Sequence, residues 1–519
     1  MDLFLQDWLT HPCYWFASDF KYDDYLIDSY GHLLEEEWDI ESTDINYHLR
    51  QLVVYDQIAR HKYRNNEDMI DFYLDKALEI YDFIQKTFDI NKLSVLEWIF
   101  YSLPIRHYNN TKEIFKIIHE GWNRLKKETD PILENHLISF LKASYARCSK
   151  RQVEFIEYYS PYENSVSFES FMDYLDILGY CPLSHYGIDM DEPLYILFEK
   201  FIKNYKFKNI IISVSGGVDS QVCNYILKRL EEKYSFNLIA VYIDYGNRSH
   251  QEYEFVRDWC FYMGIPLYVR HITEIKRKPC MEYQLRSLYE DYTKSVRFNT
   301  YKNVWSDILR NGDYPAVILG HNEDDCFENI LTNICHKSKY DNLRGMEEEQ
   351  EIDHILFYRP ILNISKEKIY AFANTVGIPY LQDSTPSWSQ RGKIRDIVRP
   401  TLHNWNPDMI HSLFNLSDRI TEYEQITIHY VKNILKNIIQ EDFKKIIILD
   451  KCEFPTSQLV WEKIFTTLNI SCSYRSLTNF MHMLSKDKNY KRINLNKTTM
   501  IDLLELKETI QITIHVKEF

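Results

Sequence analysis

The chain has 519 residues, of which 45% are hydrophobic and 15% aromatic, and it carries a formal net charge of -15. This length predicts two or three domains, and the acidity argues against a general nucleic-acid coat, because phosphate binding needs clustered Lys and Arg. No apolar run approaches the ~20 residues of a membrane span, and the acidic start lacks the basic flank of a signal peptide. The sequence therefore predicts a soluble, cytoplasmic protein without a membrane partner.

The first part of the chain is predicted to be helical. From residue 3 to about residue 180, apolar residues recur every three or four positions, as in 69–88, and no strand alternation stands out. The stretch 181–193 contains Pro, Gly and a run of Asp and Glu, which is typical of a linker. An all-helical domain over residues 1–190 is the expectation.

After the linker, short apolar segments alternate with amphipathic ones. The predicted strands are 210–214, 238–243, 266–269 and 316–319, and the predicted helices are 221–233, 253–263, 324–335 and 366–376. This alternation predicts an α/β domain over residues 196–405, built on a doubly wound parallel sheet with helices on both faces. In such sheets, ligands bind beyond the carboxyl ends of the strands.

The last part of the chain predicts a small α+β domain over residues 406–519. It begins with a helical pattern over 409–439 and closes with strand-like segments at 492–495 and 510–516.

The hexapeptide SGGVDS at 215–220 lies where the strand 210–214 gives way to a helix. Adjacent glycines let the backbone approach an anion closely, and the amides of the loop and first helical turn favour negative charge. The hydroxyls of Ser215 and Ser220 can add hydrogen bonds, and Asp219 can hold a metal ion or fix the loop. A phosphate site is predicted; the alternative is a Ser- and Gly-rich turn without a ligand.

A second polar group follows the strand 316–319 and opens a helix. His321 can stabilise charge on a phosphate or move a proton. Asp324 or Asp325 suits Mg²⁺, which prefers one or two protein carboxylates together with phosphate oxygens and water. The alternative is a helix N-terminus rich in acids because the helix dipole favours them there.

Two further segments are candidates for ligand contact. Asp244 ends the second strand, where an adenine or ribose contact is expected, although a turn such as 244–248 is also common at strand ends. Arg391, Lys393 and Arg395 form a compact cationic group suited to phosphates of ATP or RNA. The alternative for this group is a solvated basic helix face.

Taken together and in order, these motifs resemble those of the tRNA(Ile)-lysidine synthases. Their positions are 215–220, 244–248, 320–328, 344–346, 359–361, 383 and 391–400. The resemblance covers about 205–405 and extends weakly to the C-terminus. Ordered co-occurrence of several motifs is far more specific than any single motif.

The resemblance implies an enzyme with a PP-loop that splits ATP into AMP and pyrophosphate. It would adenylate the C2 oxygen of an anticodon cytidine and join lysine there, giving lysidine. ATP and Mg²⁺ are the implied cofactors, and tRNA and free lysine the implied partners; the oligomeric state stays open, a homodimer included.

The resemblance also implies roles for individual residues. Catalysis is assigned to His321, Asp325 and Asp219, and metal binding to Asp219, Asp324 and Asp325. ATP binding is assigned to Ser215, Gly216, Gly217, Val218, Asp219, Ser220, Asp244 and Gly320. RNA or phosphate contact is assigned to Arg248, Arg297, Arg391, Lys393 and Arg395.

Three positions depart from the family pattern. Tyr245 stands where the family has His, Thr300 where it has a second Arg, and Gly392 where it has Asn. They bear on RNA or adenine contact more than on phosphate binding. One alternative is a tRNA cytidine 2-thiolation enzyme, which would use paired CxxC cysteines, whereas the ten cysteines here form no CxxC. The other is an ATP-binding scaffold that has lost catalysis.

The N-terminal part resembles a different family. Trp15-Phe16, the segment 55–60 and Tyr63-Arg64 are similar to the pattern of an all-helical bacterial family of unknown function. The resemblance implies a helical fold without an assigned activity, and an interaction or RNA-docking module is the simplest expectation.

Overall fold

A computed structural model describes most of the chain, namely residues 3–15, 22–148, 155–161, 165–174, 179–180, 191–246, 250–309, 315–336, 342–382, 385, 387, 389–441, 444–484, 490–496 and 498–516. Contacts divide the chain into two compact units. The larger unit comprises Met1–Gly320, Glu348–Ile361 and Lys366–Asp383, and the smaller unit comprises His321–Glu347, Leu362–Ser365 and Ser384–Phe519. The domain boundaries at 1–190, 196–405 and 406–519 remain predictions.

The larger unit begins with the predicted helices. They are α1 (Leu3–Thr10), α2 (Asp23–Tyr30), α3 (Ile45–Val53), α4 (Ala59–Lys62), α5 (Glu67–Thr87), α6 (Val95–Tyr108), α7 (Thr111–Leu125) and α8 (Pro131–Cys148). Their apolar faces bury large aromatic side chains such as Trp8, Trp98 and Phe140. Local signals set the ends: Ser94 and Glu97 form a capping box at the start of α6.

The α/β part follows. Its strands are β1 (Ile156–Tyr159), β2 (Gly179–Tyr180), β3 (Asn209–Val214), β4 (Asn237–Asp244), β5 (Leu267–His271), β6 (Ala316–Ile318), β7 (Glu349–Ile352), β8 (Ile355–Tyr358) and β9 (Tyr380–Leu381). Its helices are α9 (Pro193–Tyr205), α10 (Val218–Tyr234), α11 (His250–Tyr262), α12 (Arg277–Glu282), α13 (Arg286–Leu309), α14 (Glu323–His336) and α15 (Lys366–Val376). The helix α14 belongs to the smaller unit.

Seven of these strands form one sheet in the order β1-β5-β4-β3-β6-β8-β7. The five central strands are parallel, four of them predicted from the sequence and the fifth, β8, not predicted, and the edge strands β1 and β7 are antiparallel. The apolar residues of β3 are completely buried, which is typical of a parallel strand covered on both faces. The predicted α/β fold class is therefore confirmed.

The prediction of helix throughout residues 3–180 was wrong at one edge of the sheet. Residues 156–159 form β1, in which Ile156 pairs with Arg270 and Tyr159 with Leu267. A single four-residue edge strand has too few positions to show alternation, and its partner lies more than a hundred residues away in the chain. The predicted linker over 181–193 lies almost entirely outside the described residues.

The smaller unit contains α14 and the C-terminal elements. Its other helices are α16 (Gln390–Lys393), α17 (Arg399–Trp405), α18 (Met409–Leu435), α19 (Gln458–Thr467) and α20 (Tyr474–Leu484). Its strands are β10 (Ile439–Glu441), β11 (Lys444–Asp450), β12 (Tyr490–Asn494), β13 (Thr499–Glu505) and β14 (Thr509–Val516), in the order β10-β11-β14-β13-β12. The predicted α+β character is confirmed, although the sequence indicated only two of these strands. Among the described residues there is no helix with the length and apolar content needed to span a bilayer.

Candidate active site

The predicted phosphate loop joins the end of β3 to the start of α10. Gly216 has a φ of 76°, in the left-handed region that favours glycine. A Cβ atom at this position would lie 2.6 Å from the Leu381 side chain. The backbone amide of Leu381 donates to the Gly216 carbonyl over 2.8 Å. The backbone of β9 therefore holds the loop close to the sheet and leaves no room for a side chain at Gly216.

The two predicted serine hydroxyls brace the loop from within. The Ser215 amide donates to Ser220 Oγ over 3.1 Å, and that hydroxyl donates to the Gly217 carbonyl over 3.0 Å. The two hydroxyl oxygens lie 3.2 Å apart. These bonds set the loop conformation before any ligand binds, which lowers the entropy that ordering would otherwise cost.

Asp219, in the first turn of α10, forms an ion pair with Lys366. Lys366 is the first residue of α15, and both side chains are only partly exposed. The sequence reasoning missed Lys366, because it lies 147 residues further along the chain and outside every recognised motif. The sequence offered only a weak signal for Lys366, namely a lysine at the start of a predicted helix that follows a strand.

Gly320 packs directly against the phosphate loop's helix. A Cβ atom on Gly320 would lie 3.2 Å from the Ser220 amide nitrogen and 3.3 Å from the Asp219 carbonyl carbon. Any side chain would therefore press on the first turn of α10. The structure supports a packing reason for glycine at this position.

Asp244 ends β4 beside the end of β5, and parallel pairing brings both strand ends to the sheet edge that carries the phosphate loop. One carboxylate oxygen accepts from the Gly246 amide over 2.8 Å, and the other accepts from His271 Nδ1 over 2.8 Å. The hydrogen bond to Asp244 raises the pKa of His271 above its usual value, although burial acts in the opposite direction. Asp244 is thus fixed in orientation by a partner that the sequence did not indicate.

A buried network extends from this strand end to the N-terminal helices. Arg270 donates to the Glu274 carboxylate over 2.5 Å, and both side chains are at most 2% exposed. Tyr292 also donates to that carboxylate, over 2.8 Å. The Tyr145 hydroxyl on α8 donates to the Glu274 carbonyl and accepts from the Trp122 indole, each over 2.8 Å. The helices and the sheet are therefore joined by polar contacts as well as by apolar packing.

In the smaller unit, the predicted acids and the predicted cations pair with each other. Glu328 is 2% exposed, and its carboxylate accepts from Arg391 over 2.5 Å and from Arg395 over 2.6 Å. Asp325 accepts from Arg391 over 2.6 Å, and Asp324 pairs with Arg399. Burial alone would lower the pKa values of the Arg391 and Arg395 side chains, but the neighbouring carboxylates raise both.

A π-helical turn at Ile394–Val398 connects α16 to α17. An α-helix has about 3.6 residues per turn, so side chains four residues apart point in slightly different directions. The wider π-helical turn compensates for this difference and keeps the three arginines on one side. Arg391, Arg395 and Arg399 can therefore all reach acids of α14. The sequence reasoning identified the first two, and it did not assign Arg399 to the site.

The start of α14 agrees in part with the alternative interpretation of its acids, in which they stabilise a helix N-terminus. Asn322 Oδ1 accepts from the Asp324 amide over 2.9 Å, and the Asn322 amide donates to Asp325 Oδ2 over 3.1 Å. Asp325 therefore caps the helix while its other oxygen binds Arg391. Asp324 Oδ1 is buried and has no hydrogen-bond partner within the described part of the chain.

The remaining predicted contacts have different surroundings. Arg297 lies on α13 with its guanidinium 5.6 Å from the centre of the Phe298 ring, and Lys393 is exposed on α16. Thr300 is 1% exposed, and its hydroxyl donates to the Val296 carbonyl, so this departure from the family pattern faces the core. Arg248, like Asp383, lies outside the described residues.

Two parts of the chain match known protein families. Residues 190–404 match the family described as the PP-loop domain, and residues 4–164 match a family described as a bacterial protein of unknown function. Both resemblances inferred from the motifs are therefore confirmed. The matched ranges place a PP-loop-like part of the chain after a part similar to the family of unknown function.

Several relatives are named tRNA(Ile)-lysidine synthase. The one from Oceanobacillus iheyensis is 25% identical over 245 residues, covering 46% of this chain and 51% of the relative. The match to the relative from Mycoplasma mycoides is 26% identical and covers 57% of this chain and 72% of that relative. The match to the relative from Chlamydia pneumoniae is 30% identical and covers 38% of this chain and 57% of that relative. The match thus spans only about half the length of the first of these relatives.

Solved structures are more distant. The U34-tRNA thiolase from Methanococcus maripaludis has 16% identity and a TM-score of 0.33, and it covers 44% of this chain and 78% of its own. At this level of similarity, the fold assignment rests on the strand order of the chain itself.

Proposed function

We propose that the chain is an ATP-dependent tRNA-modifying ligase, which adenylates the C2 oxygen of a cytidine and joins lysine there to form lysidine. The observation that carries this proposal is the braced SGGVDS loop at the end of β3, within the part of the chain that matches the PP-loop domain. The relatives' shared name supports the choice of cytidine and lysine.

ATP would bind at the carboxyl edge of the parallel sheet. The amides of Gly216, Gly217 and Val218 would hold its phosphates, with the dipole of the 17-residue helix α10 favouring their charge. Lys366 lies beside Asp219 and would add positive charge. Asp244, held by His271, would accept hydrogen bonds from the nucleoside.

The reaction would proceed in two displacements. The cytidine C2 oxygen attacks the α-phosphorus of ATP, and the bond to pyrophosphate breaks. The lysine amine then attacks C2, loses a proton, and AMP leaves. His321 would stabilise charge on the transferring phosphoryl group, and fixed positioning of the reactants would supply much of the rate.

Mg²⁺ fits the residues present. Asp324 has a carboxylate oxygen without a hydrogen-bond donor in the described residues, and a buried oxygen of this kind suits a cation. Asp324, with Asp325, would hold the ion in the smaller unit, and Asp219 is a separate proposed metal contact in the larger unit. When bound, Mg²⁺ would neutralise charge on the phosphates of ATP.

The tRNA would be held by cationic side chains. Arg391 and Lys393 are exposed in the smaller unit, and Arg395, Arg297 and Arg248 complete the proposed contacts. Glu328 and Asp325 already offset the charges of Arg391 and Arg395, so RNA phosphates would share these guanidinium groups with the two carboxylates. A cytoplasmic location belongs to the same proposal, and the oligomeric state stays open.

The test combines two measurements. Pyrophosphate release from ATP should depend on both tRNA and lysine, and mass spectrometry of nucleosides from the treated tRNA should detect lysidine. Asp219→Ala and Asp325→Asn should abolish the product. Absence of release with every tRNA tested would refute a ligase and leave the catalytically inactive scaffold.

Sulfur incorporation without lysine would instead favour 2-thiolation. Three cysteines in the part that matches the PP-loop domain are unsuited to that chemistry. Cys223, Cys260 and Cys326 are buried, and burial raises the pKa of the Cys223 and Cys260 thiols well above the usual range. Thiols of this kind are poor nucleophiles and poor metal ligands.

A further inference from the structure

The N-terminal helical domain has a polar segment that the proposed ligase reaction does not use. It begins with a π-helical turn at Val54–Ile58 and continues through α4 to Arg64. Asp56 in this turn is 1% exposed, and it accepts from His107 over 2.8 Å and from Arg60 over 3.3 Å. Buried charges are costly unless they are paired, so this first network fixes the backbone of the segment.

A second network lies at the other end of the segment. Asp23 on α2 accepts from His61 Nδ1 over 2.7 Å, and from Arg64 through Nε over 2.9 Å and through Nη2 over 2.6 Å. Burial alone would raise the pKa of Asp23, but the hydrogen bonds from Arg64 and His61 hold it below the usual range. The two-point contact with Arg64 largely neutralises the carboxylate.

This geometry orients the His61 ring. Because Nδ1 is used by Asp23, the opposite nitrogen Nε2 is the one directed away from the ion pair. Nε2 has no hydrogen-bond partner among the described residues, yet it is not among the polar atoms that are sealed from solvent. An oriented imidazole of this kind is poised to contact a ligand.

A cavity of about 390 Å³ opens at this point, which is within the size range of small-molecule sites. The residues that line it include Asp23, Asp24, His61, Lys62, Arg64 and Asn66. Asn66 also caps α5, a helix of 21 residues, so the positive end of that helix dipole lies at the cavity wall.

We propose that this cavity binds a small phosphate-bearing molecule. With Asp23 neutralised by Arg64, the groups left to favour an anion are the Lys62 ammonium and the backbone amides at the start of α5. Because His61 Nδ1 donates to Asp23, Nε2 would accept a hydrogen bond from a hydroxyl of a protonated phosphate. Asp24, Glu67 and Asp68 oppose an anion, but all three are exposed, so water screens their charge. Phosphate is preferred over carboxylate because it offers more acceptor oxygens to donors placed around it.

The test is equilibrium dialysis of the full chain with radiolabelled inorganic phosphate, with acetate at equal ionic strength as competitor. The Ser220→Ala background weakens phosphate binding at the PP-loop, and comparison with Lys62→Gln in the same background assigns the remaining binding to the cavity. We expect one saturable site with a dissociation constant at or below about 1 mM. Acetate should compete at least about tenfold more weakly.

Lys62→Gln should weaken phosphate binding by about fivefold or more, since a charge-assisted contact is lost. His61→Gln should do the same, provided that circular dichroism shows a folded chain. Lys116→Gln is the matched control, because Lys116 is an exposed lysine of the same domain paired with Glu113 and does not line the cavity. Absence of saturable binding, equal competition by acetate, or unchanged binding in Lys62→Gln would overturn the proposal.

Discussion

His271 Nδ1 and Asp244 Oδ2 lie 2.8 Å apart where the parallel strands β4 and β5 end together. The contact fixes the carboxylate proposed to bind the nucleoside, so His271 acts as a positioning residue. His271→Ala should raise KM for ATP about fivefold, since one charge-assisted hydrogen bond is lost, with little change in kcat. Steady-state kinetics check this split, and His271→Gln should recover part of the affinity. An equal fall in kcat would contradict the assigned role.

The same pair predicts a pH dependence of stability. The pKa of His271 is raised above its ordinary 6.5, chiefly by the Asp244 hydrogen bond, so folding favours the charged ring. This contribution to the free energy of unfolding is complete below about pH 6.5 and is lost as pH rises through the raised value. The free energy of unfolding in urea should therefore change less between pH 6 and pH 9 for His271→Gln than for the natural chain.

Lys366 is expected to matter for catalysis despite its distance from the phosphate loop in sequence. Lys366→Gln removes the partner of Asp219 and a positive charge beside the phosphates, so kcat/KM for pyrophosphate release should fall about 10²-fold. Lys368→Gln is the matched control, because Lys368 is exposed on the same helix. Similar activities for the two variants would remove Lys366 from the site.

Gly216→Ala should destabilise the larger unit by about 1–3 kcal/mol, because the position has a positive φ and a Cβ would meet Leu381. Gly217 has a φ of -71°, and a Cβ atom there would make only an ordinary contact with Ser215 Oγ at 3.5 Å. Gly217→Ala should therefore leave the free energy of unfolding nearly unchanged. Denaturant titration measures both. Adding Leu381→Ala should relieve the contact in Gly216→Ala without removing the backbone strain.

Tyr145→Phe should lower the free energy of unfolding by about 1–3 kcal/mol, since the Trp122 indole loses its acceptor and the Glu274 carbonyl loses a donor. Tyr195→Phe is the control. Its buried hydroxyl has no partner in the described part of the chain, so removing it should cost little. Equal destabilisation by the two substitutions would show that the Tyr145 hydrogen bonds contribute nothing.

The local part of this structure could be predicted from the sequence. The four central strands predicted from apolar runs are found at Asn209–Val214, Asn237–Asp244, Leu267–His271 and Ala316–Ile318. The phosphate loop was recognisable because its chemistry is carried by six consecutive residues. Strands β7 and β8 were not predicted. The strand β7 alternates exposed and half-buried positions without a strong apolar signal, and β8 follows it as an antiparallel partner, outside the alternation of strand and helix used for the prediction.

Long-range pairing could not be predicted. Nothing near Asp219 in sequence indicates Lys366, and nothing near Asp244 indicates His271. The pairing of Glu328 with Arg391 and Arg395 is a further example: the two arginines were predicted to contact RNA or phosphate, and Glu328 was recognised only as part of the motif at 320–328. Only the folded chain shows that opposite charges from distant motifs neutralise each other.

The strand β1 protects one edge of the sheet. Its pairing along β5 covers what would otherwise be an open sheet edge next to the buried Arg270. A shortened chain that starts at the PP-loop family boundary, residue 190, would lack that cover. Open edges recruit strands from other molecules, so such a fragment should aggregate in dilute buffer. We therefore expect that the family boundary at residue 190 does not mark a fragment that is soluble by itself.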